Sequence, residues 1–294
     1  MEEALNTKLY PITLTRQITD IHSGGFSISE EEKLGFAKGE LFTEPAELYE
    51  LITLHKKNFA DNLNKYKTKI LENNLDYKIL APNVYVYTSA SVDSSVVFNT
   101  SEGIIVIEKD VIIEPFVYLC GPLRIDEGTI IKAHANISHS YIGKVCRIGG
   151  EVSNTIFESF TNKGHHGFIG EAYVGSWVNI GGGTSFSNVK NTFGPIKMNG
   201  VETGELKLGS IIADHVKTAI NVSIYTGKVI GVGAHIYSTV TTDVPNFVNY
   251  YGKDNTKKIP IEVTEKIATR MMERRGIKFS NEDKNLLINL YKNE

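Results

Sequence analysis

Ile107-Glu108-Lys109-Asp110-Val111-Ile112-Ile113-Glu114-Pro115-Phe116-Val117-Tyr118-Leu119 places an aliphatic residue at every sixth position. The beat continues at Ile125, Ile131 and Ile137. Leu80, Val86 and Val92 keep it upstream, before an insertion at Phe98 to Gly103. The fifth place of each unit is small or branched, as at Val111, Val117, Leu123, Thr129 and Ala135. Further registers hold Ile142 and Ile148, then Val174 and Ile180, then Ile212, Thr218, Ile224, Ile230 and Ile236. A buried helix would show period 3.6, and this pattern does not. Hexads of this kind predict a parallel β-helix, one short strand and one corner per unit, with inward aliphatics stacked from coil to coil.

Two breaks interrupt the beat. Glu158-Ser159-Phe160 does not fit a simple hexad within Ser153 to Thr161. Residues 185–207 contain Gly194-Pro195 and Gly200 and predict a loop thrown out of the prism. After Val240 the pattern ends, and Asp243-Val244-Pro245-Asn246-Phe247 with Tyr250-Tyr251-Gly252 reads as an exit strand or cap.

The flanks are different in kind. Leu9 to Arg16 looks like a short strand, and Ser29-Glu30-Glu31-Glu32 like a capped helix start. Leu48, Leu51, Ile52, Phe59, Leu63, Tyr66 and Ile70 recur at helical spacing over about 44–73. Glu262 to Arg275 reads as a helix with Val263, Ile267 and Met271 on one face, and Asn281 to Tyr291 as another, capped by Ser280. The expected domains are 1–78, mostly helical; 79–252, the β-helix with loop 185–207; and 253–294, C-terminal helices.

Composition narrows the partners. The formal charge of the 294 residues is −3, so no nucleic acid or anionic membrane is called for. Lys257-Lys258 is too short for a nucleic-acid patch. Met1 to Asn6 starts acidic without an apolar run, so no secretory signal is expected, and no window reaches the apolar length of a membrane span. Cys120 and Cys146 fall within aliphatic hexads and read as buried free thiols, which fits a cytoplasmic location.

Chemistry concentrates between Gly164 and Thr184. The run Gly164-His165-x-x-Phe168-Ile169-Gly170-Glu171-Ala172-x-Val174-Gly175-x-x-Val178-Asn179-Ile180-Gly181-Gly182-Gly183-Thr184 resembles the acetyltransferase half of the bifunctional GlmU-like enzymes. Those enzymes join a glucosamine-1-phosphate acetyltransferase to an N-acetylglucosamine-1-phosphate uridylyltransferase. The resemblance implies a mainly β fold, a left-handed parallel β-helix of hexapeptide repeats with α-helical N- and C-terminal extensions. It implies a homotrimer with a groove between subunits, acetyl-CoA as acyl donor, and an amino-sugar phosphate or nucleotide sugar as acceptor. His165 falls on the catalytic base. Phe168 falls on a substrate-contacting tyrosine and lacks its hydroxyl. Asn179 and Asn188 fall on substrate-contacting asparagines, Val189 replaces a tyrosine, and Lys197, or else Lys190, stands in for a loop lysine. Gly182, Thr218 and Ala219 fall at the cofactor. The cations that hold the sugar phosphate are not matched; Arg124, Lys132 and Arg147 are available.

Tyr10 to Ile21 also resembles the opening of the nucleotidyltransferase half in a GlmU-like branch. About 75 residues are too few for that α/β sheet, and Gly24-Gly25 alone makes no phosphate-cradling loop. A truncated remnant without uridylyl transfer is expected. Two other classes stay open. His134 and His139, with His165 or His166, are candidates for a zinc site like that of β-helical carbonic anhydrases. A non-catalytic β-helix that binds a nucleotide sugar or scaffolds a partner is the other. Acetyl transfer itself calls for no metal.

Overall fold

The computed structural model describes residues 8–73 and 76–294, so the expectation at Met1 to Asn6 lies outside the described residues. Three parallel walls close a left-handed β-helix of about nine turns. Wall 1 runs from Val84–Tyr87 through Ile105–Ile107, Leu123–Ile125, Tyr141–Ile142, Ile156–Phe157, Tyr173–Val174 and Ile211–Ile212 to Val229–Ile230. Wall 2 includes Ile130–Ile131, Arg147–Ile148 and Asn162–Lys163, and continues through a bridge at Asn179 to Lys217–Thr218 and His235–Ile236. Wall 3 includes Tyr118–Cys120, Asn136–Ser138, Glu151–Ser153 and Phe168–Gly170.

The hexad aliphatics are the inner ladder. On wall 1, Ile107, Ile125, Ile142, Phe157, Val174, Ile212 and Ile230 stack in register, all buried. Cys146 sits inside the prism, and Cys120 is buried at its wall. Burial pushes the Cys146 thiol up to about 12, so it is inert.

Some sequence expectations need correction. Leu80 is 46 % exposed, because Tyr77–Ala81 runs antiparallel to Val84–Tyr87 and covers the first coil's edge instead of entering the prism. Phe98 still stacks on Leu119, so the insertion starts after it. The beat slips at Gly149-Gly150, before Ser153, since Val152 already points inward four residues after Ile148. Ser185–Phe186 remains a strand with Phe186 in the core, and the excursion runs from Ser187 to the return at Ile211. Within it, Lys197–Met198 and Val201–Glu202 form a hairpin, and Ile196, Met198 and Leu208 are buried.

Leu9 to Arg16 forms no strand; Ile12–Leu14 is a 3-10 turn that buries Leu9 and Ile12. Helix α1 (Ile28–Lys33) is capped by Ser27, two residues before the expected cap. Helix α2 (Glu50–Glu72) is a single helix that buries Leu51, Ile52, Phe59, Leu63, Tyr66 and Ile70. Helix α3 (Ile261–Glu273) packs through Thr264, Ala268 and Met272; Val263 is 43 % exposed, while Ile267 and Met271 line a cavity. Helix α4 (Asn281–Lys292) has the expected Ser280 cap, reciprocated by Asp283. At the exit, Val248–Gly252 and Asn255–Lys258 form a capping hairpin. Among the described residues no helix is long and apolar enough to cross a membrane.

The N-terminal segment is bolted to wall 1 by buried charges. Arg16 pairs with Glu158 at 3.0 Å and Asp214 at 2.7 Å. His22 Nδ1 lies 2.9 Å from Glu158, and Tyr173 donates to Glu158 at 2.6 Å. Arg124 holds Glu30 at 2.6 Å and Glu108 at 3.1 Å. Burial opposes the charge on Glu158, yet His22 and Arg16 outweigh it and hold its pKa at about 2. Burial likewise opposes a charged His22, but Glu158 and Glu30 raise it to about 9.

The signs follow. Glu158 contributes stability above its unfolded pKa that is lost as pH falls toward about 2. His22 contributes stability below its unfolded pKa that is lost as pH rises through about 9. Thermal unfolding against pH should therefore plateau at mildly acidic pH and fall on both sides. Glu158→Gln should cost about 3–5 kcal/mol at that plateau, because it strands buried cations; a cost under 1 kcal/mol would show that the network is not a stabilising bolt.

Candidate active site

His165 lies at the corner between walls 2 and 3. Its coil spans that corner with Gly164 to Gly167, between Lys163 on wall 2 and Phe168 on wall 3. The coil before it uses Gly149 and Gly150 alone between the matching residues Ile148 and Glu151. That corner is recessed, so His165 and His166 project over it and are exposed. Gly150 has φ +73°, and a Cβ there would meet Lys163 Nζ and the Gly167 carbonyl at 2.8 Å.

Lys163 is not among the residues that the sequence singles out. It occupies the inward position in register with Ile148, where the ladder is otherwise aliphatic. Its ammonium turns to the corner and donates to the Gly149 carbonyl at 2.7 Å and the His165 carbonyl at 3.0 Å. Burial lowers its pKa to about 8. A lysine at a hexad's inward place was the available signal, and its job is to hold the His165 backbone.

On the next coil Gly182 faces His165: a Cβ on Gly182 would lie 3.4 Å from that of His165. Gly181 N–H donates to Thr218 Oγ1 at 2.9 Å, and Gly183 N–H to the His166 carbonyl at 3.0 Å. Among the described residues the Gly182 N–H has no partner. The three glycines are thus not equivalent, and one free donor stands beside the imidazole.

The other expected residues spread outward from this corner. Asn179 is on the outer face of wall 2 and accepts a hydrogen bond from Asn162 Nδ2 at 2.9 Å. Phe168 is on wall 3, where its ring lies over Gly170 beside Asn188 Nδ2. Asn188 is tied to Glu171 rather than free, and Glu171 was missed because glutamate at a corner looks solvated. Lys197 is exposed on the hairpin and pairs with Glu202, away from His165. Lys190 donates to the Pro195 carbonyl. Thr218 points into the prism with its hydroxyl accepting from Gly181, so that hydroxyl is structural. Ala219 lies at the same corner one coil on, its carbonyl taken by Thr184 at 3.0 Å.

Of the three candidate cations, Arg124 is buried in the wall 1 bolt and Lys132 pairs with Glu114. Arg147 faces an open cavity. The zinc constellation does not assemble within the chain. His134 stacks on Phe116 at 5.3 Å at the corner preceding strand Asn136–Ser138. His139 lies beyond the strand's other end and meets Glu102 at 3.1 Å. Glu102, Cys120 and His139 do offer ligand atoms within 4.8 Å of one another, at the opposite side of wall 3 from His165.

Bifunctional protein GlmU of Nostoc sp. is 35 % identical over 127 residues, covering 42 % of this chain and 25 % of the relative. The chain is similar to GlmU proteins. A bifunctional sugar-1-phosphate nucleotidylyltransferase/acetyltransferase of Sulfurisphaera tokodaii is 33 % identical over 100 residues, 32 % of this chain and 25 % of the relative. The chain thus spans about a quarter of the length of these curated relatives. The solved Francisella novicida UDP-N-acetylglucosamine acyltransferase aligns at 18 % identity and a TM-score of 0.34, over 70 % of this chain and 78 % of that one. No family model matches.

The recessed corner depends on glycine at position 150. Gly150→Ala should destabilise the protein by about 1–3 kcal/mol in denaturant unfolding, since it strains a left-handed position and strikes Lys163. An unchanged midpoint would mean that the corner tolerates a side chain.

Proposed function

We propose that this chain is an acyltransferase that moves an acetyl group from acetyl-CoA to the amine of a sugar phosphate or nucleotide sugar. The observation that carries the proposal is the exposed His165 beside the free N–H of Gly182. The amine nitrogen attacks the thioester carbonyl, and His165 takes the proton as the C–N bond forms. The carbonyl oxygen gains charge and is received by the Gly182 N–H. Collapse expels the CoA thiolate, which takes up a proton, leaving the amide. No covalent enzyme intermediate is needed, because one groove holds both reactants.

A second copy supplies the rest of the groove in this proposal. Wall 3 and its corner carry exposed Val97 and Phe116, at 56 and 64 %, which suit burial against another subunit. A homotrimer with three equivalent grooves follows. The zinc alternative has weaker support, since His139 stands at the other end of wall 3 from His134 and His165, against Glu102.

Residues 1–78 serve in this proposal as a collar and not as a working nucleotidyltransferase. Gly24 packs against Asn62 and Gly25 against Phe59, with the Gly24 and Gly25 carbonyls held by Asn62 and Arg124. That leaves no cradle for a triphosphate at this glycine pair. Pyrophosphate release from a nucleoside triphosphate and a sugar 1-phosphate should be absent; release above background would refute this.

His165→Ala should lower turnover by about 10² to 10⁴ in an acetyl-CoA assay against a panel of amino-sugar phosphates and nucleotide sugars, with the thermal midpoint unchanged. Full activity in that variant would remove His165 from the mechanism. Sedimentation should give three times the chain mass.

A further inference from the structure

A cavity of about 340 Å³ lies between wall 2 and α3. Wall 2 contributes Arg147, Asn162, Asn179 and Lys217. From α3 and its end come Ile267, Arg270, Met271, Arg274 and Arg275. Four of these nine residues are arginines, a fifth is Lys217, whose pKa burial lowers to about 7, and none is acidic. Among the described residues none of the five forms an ion pair with a carboxylate. Lys217 spends its ammonium on the Trp177 and His215 carbonyls at 2.8 and 2.9 Å. Among the described residues the four arginines have no such outlet.

Arginines near a helix C-terminus complement its dipole, which accounts for Arg270 and Arg274. It does not account for Arg147 on the opposite wall, nor for a shared space between them. Arg275 is held below its ordinary pKa by burial and then by Arg147 and Arg274, which places these like charges close together. Like charges this close repel one another, and an anion between them would relieve that repulsion. Guanidinium groups suit phosphate oxygens, which they bind in a bidentate fork. Ile267 and Met271 add an apolar strip on the same side.

We propose that this cavity binds the diphosphate of a nucleotide. Arg147 approaches from the wall, Arg270, Arg274 and Arg275 from the helix, and Ile267 and Met271 meet the base or ribose. Asn162 stands three residues before His165 in sequence, an extended reach of about 10 Å, so a ligand held here extends to the proposed catalytic corner. Which nucleotide fills the cavity rests on the acyltransferase reading: the nucleotide of CoA and the nucleoside diphosphate of a sugar nucleotide share the required chemistry. The cavity itself does not rest on it.

Equilibrium binding of CoA, uridine diphosphate and inorganic diphosphate to the full chain tests this. It is done in a His165→Ala background as well, so that a failed catalytic assignment leaves the result readable. Wild type should bind at least one of the nucleotides in the micromolar range. Arg270→Gln with Arg274→Gln should weaken that ligand by about 100-fold, roughly tenfold for each charge-assisted hydrogen bond removed. Both side chains are exposed, so the thermal midpoint should hold. Arg147→Gln should weaken the same ligand, and Arg274→Lys should lose less than Arg274→Gln. Loss confined to CoA assigns the cavity to the acyl donor, and loss confined to uridine diphosphate assigns it to the acceptor. Loss of both supports a shared nucleotide-diphosphate site. Three results would overturn the proposal: no nucleotide binding, binding of inorganic diphosphate alone, or nucleotide affinities unchanged in the folded arginine variants.

Discussion

Every part of this structure depends on the aliphatic ladder inside the prism. A single coil cannot bury its own inner face, so Ile107 is stable there only because Ile125 lies in register beyond it, and Ile125 because of Ile142. Each fully buried aliphatic side chain is worth about 1.5–3 kcal/mol. The same logic demands lids. Tyr77–Ala81 turns back antiparallel over the first coil, and the hairpin Val248–Gly252 with Asn255–Lys258 closes the last.

With the interior filled by the ladder, the three outer faces are free to differ. Wall 1 is apolar outside as well, through Tyr85, Val106, Ile156 and Ile211, and is covered by α2 and the N-terminal segment. Buried charges there are paired across the seam: Glu158 of the wall with Arg16 and His22, and Arg124 of the wall with Glu108 and with Glu30 of α1. Wall 2 is shadowed by α3, and wall 3 is open. His165 and His166 are exposed at the corner where those two walls meet.

That corner is shaped by a difference in length between neighbouring coils. Two glycines bridge it on one coil and four residues on the next, so His165 overhangs a recess. Lys163 then fixes the overhang from inside the prism. The scaffold and not a ligand therefore positions the His165 backbone.

The hexad beat by itself determined the β-helix, most of its inward residues and the place of His165, because side-chain stacking every six residues is a local, repeating constraint. The Ser280 cap and the amphipathic run of α2 were legible for the same local reason. Helix α3 was legible as a helix but not in its facing: Thr264, Ala268 and Met272 are chosen by the wall they meet, not by hydrophobicity. The slip at Gly149-Gly150 changes register by two residues and is visible only against the coils above and below. Thr218 holds the inward place its register gave it, although the resemblance set it at the cofactor; Lys197 looked like a loop ligand and is in a hairpin strand, opposite Glu202. Glu158, Arg16 and Asp214 are far apart in sequence, so only the tertiary fold could bring them together. The same holds for Arg147 and the arginines of α3, since charges separated along the chain have no pattern until packing gives them a common space.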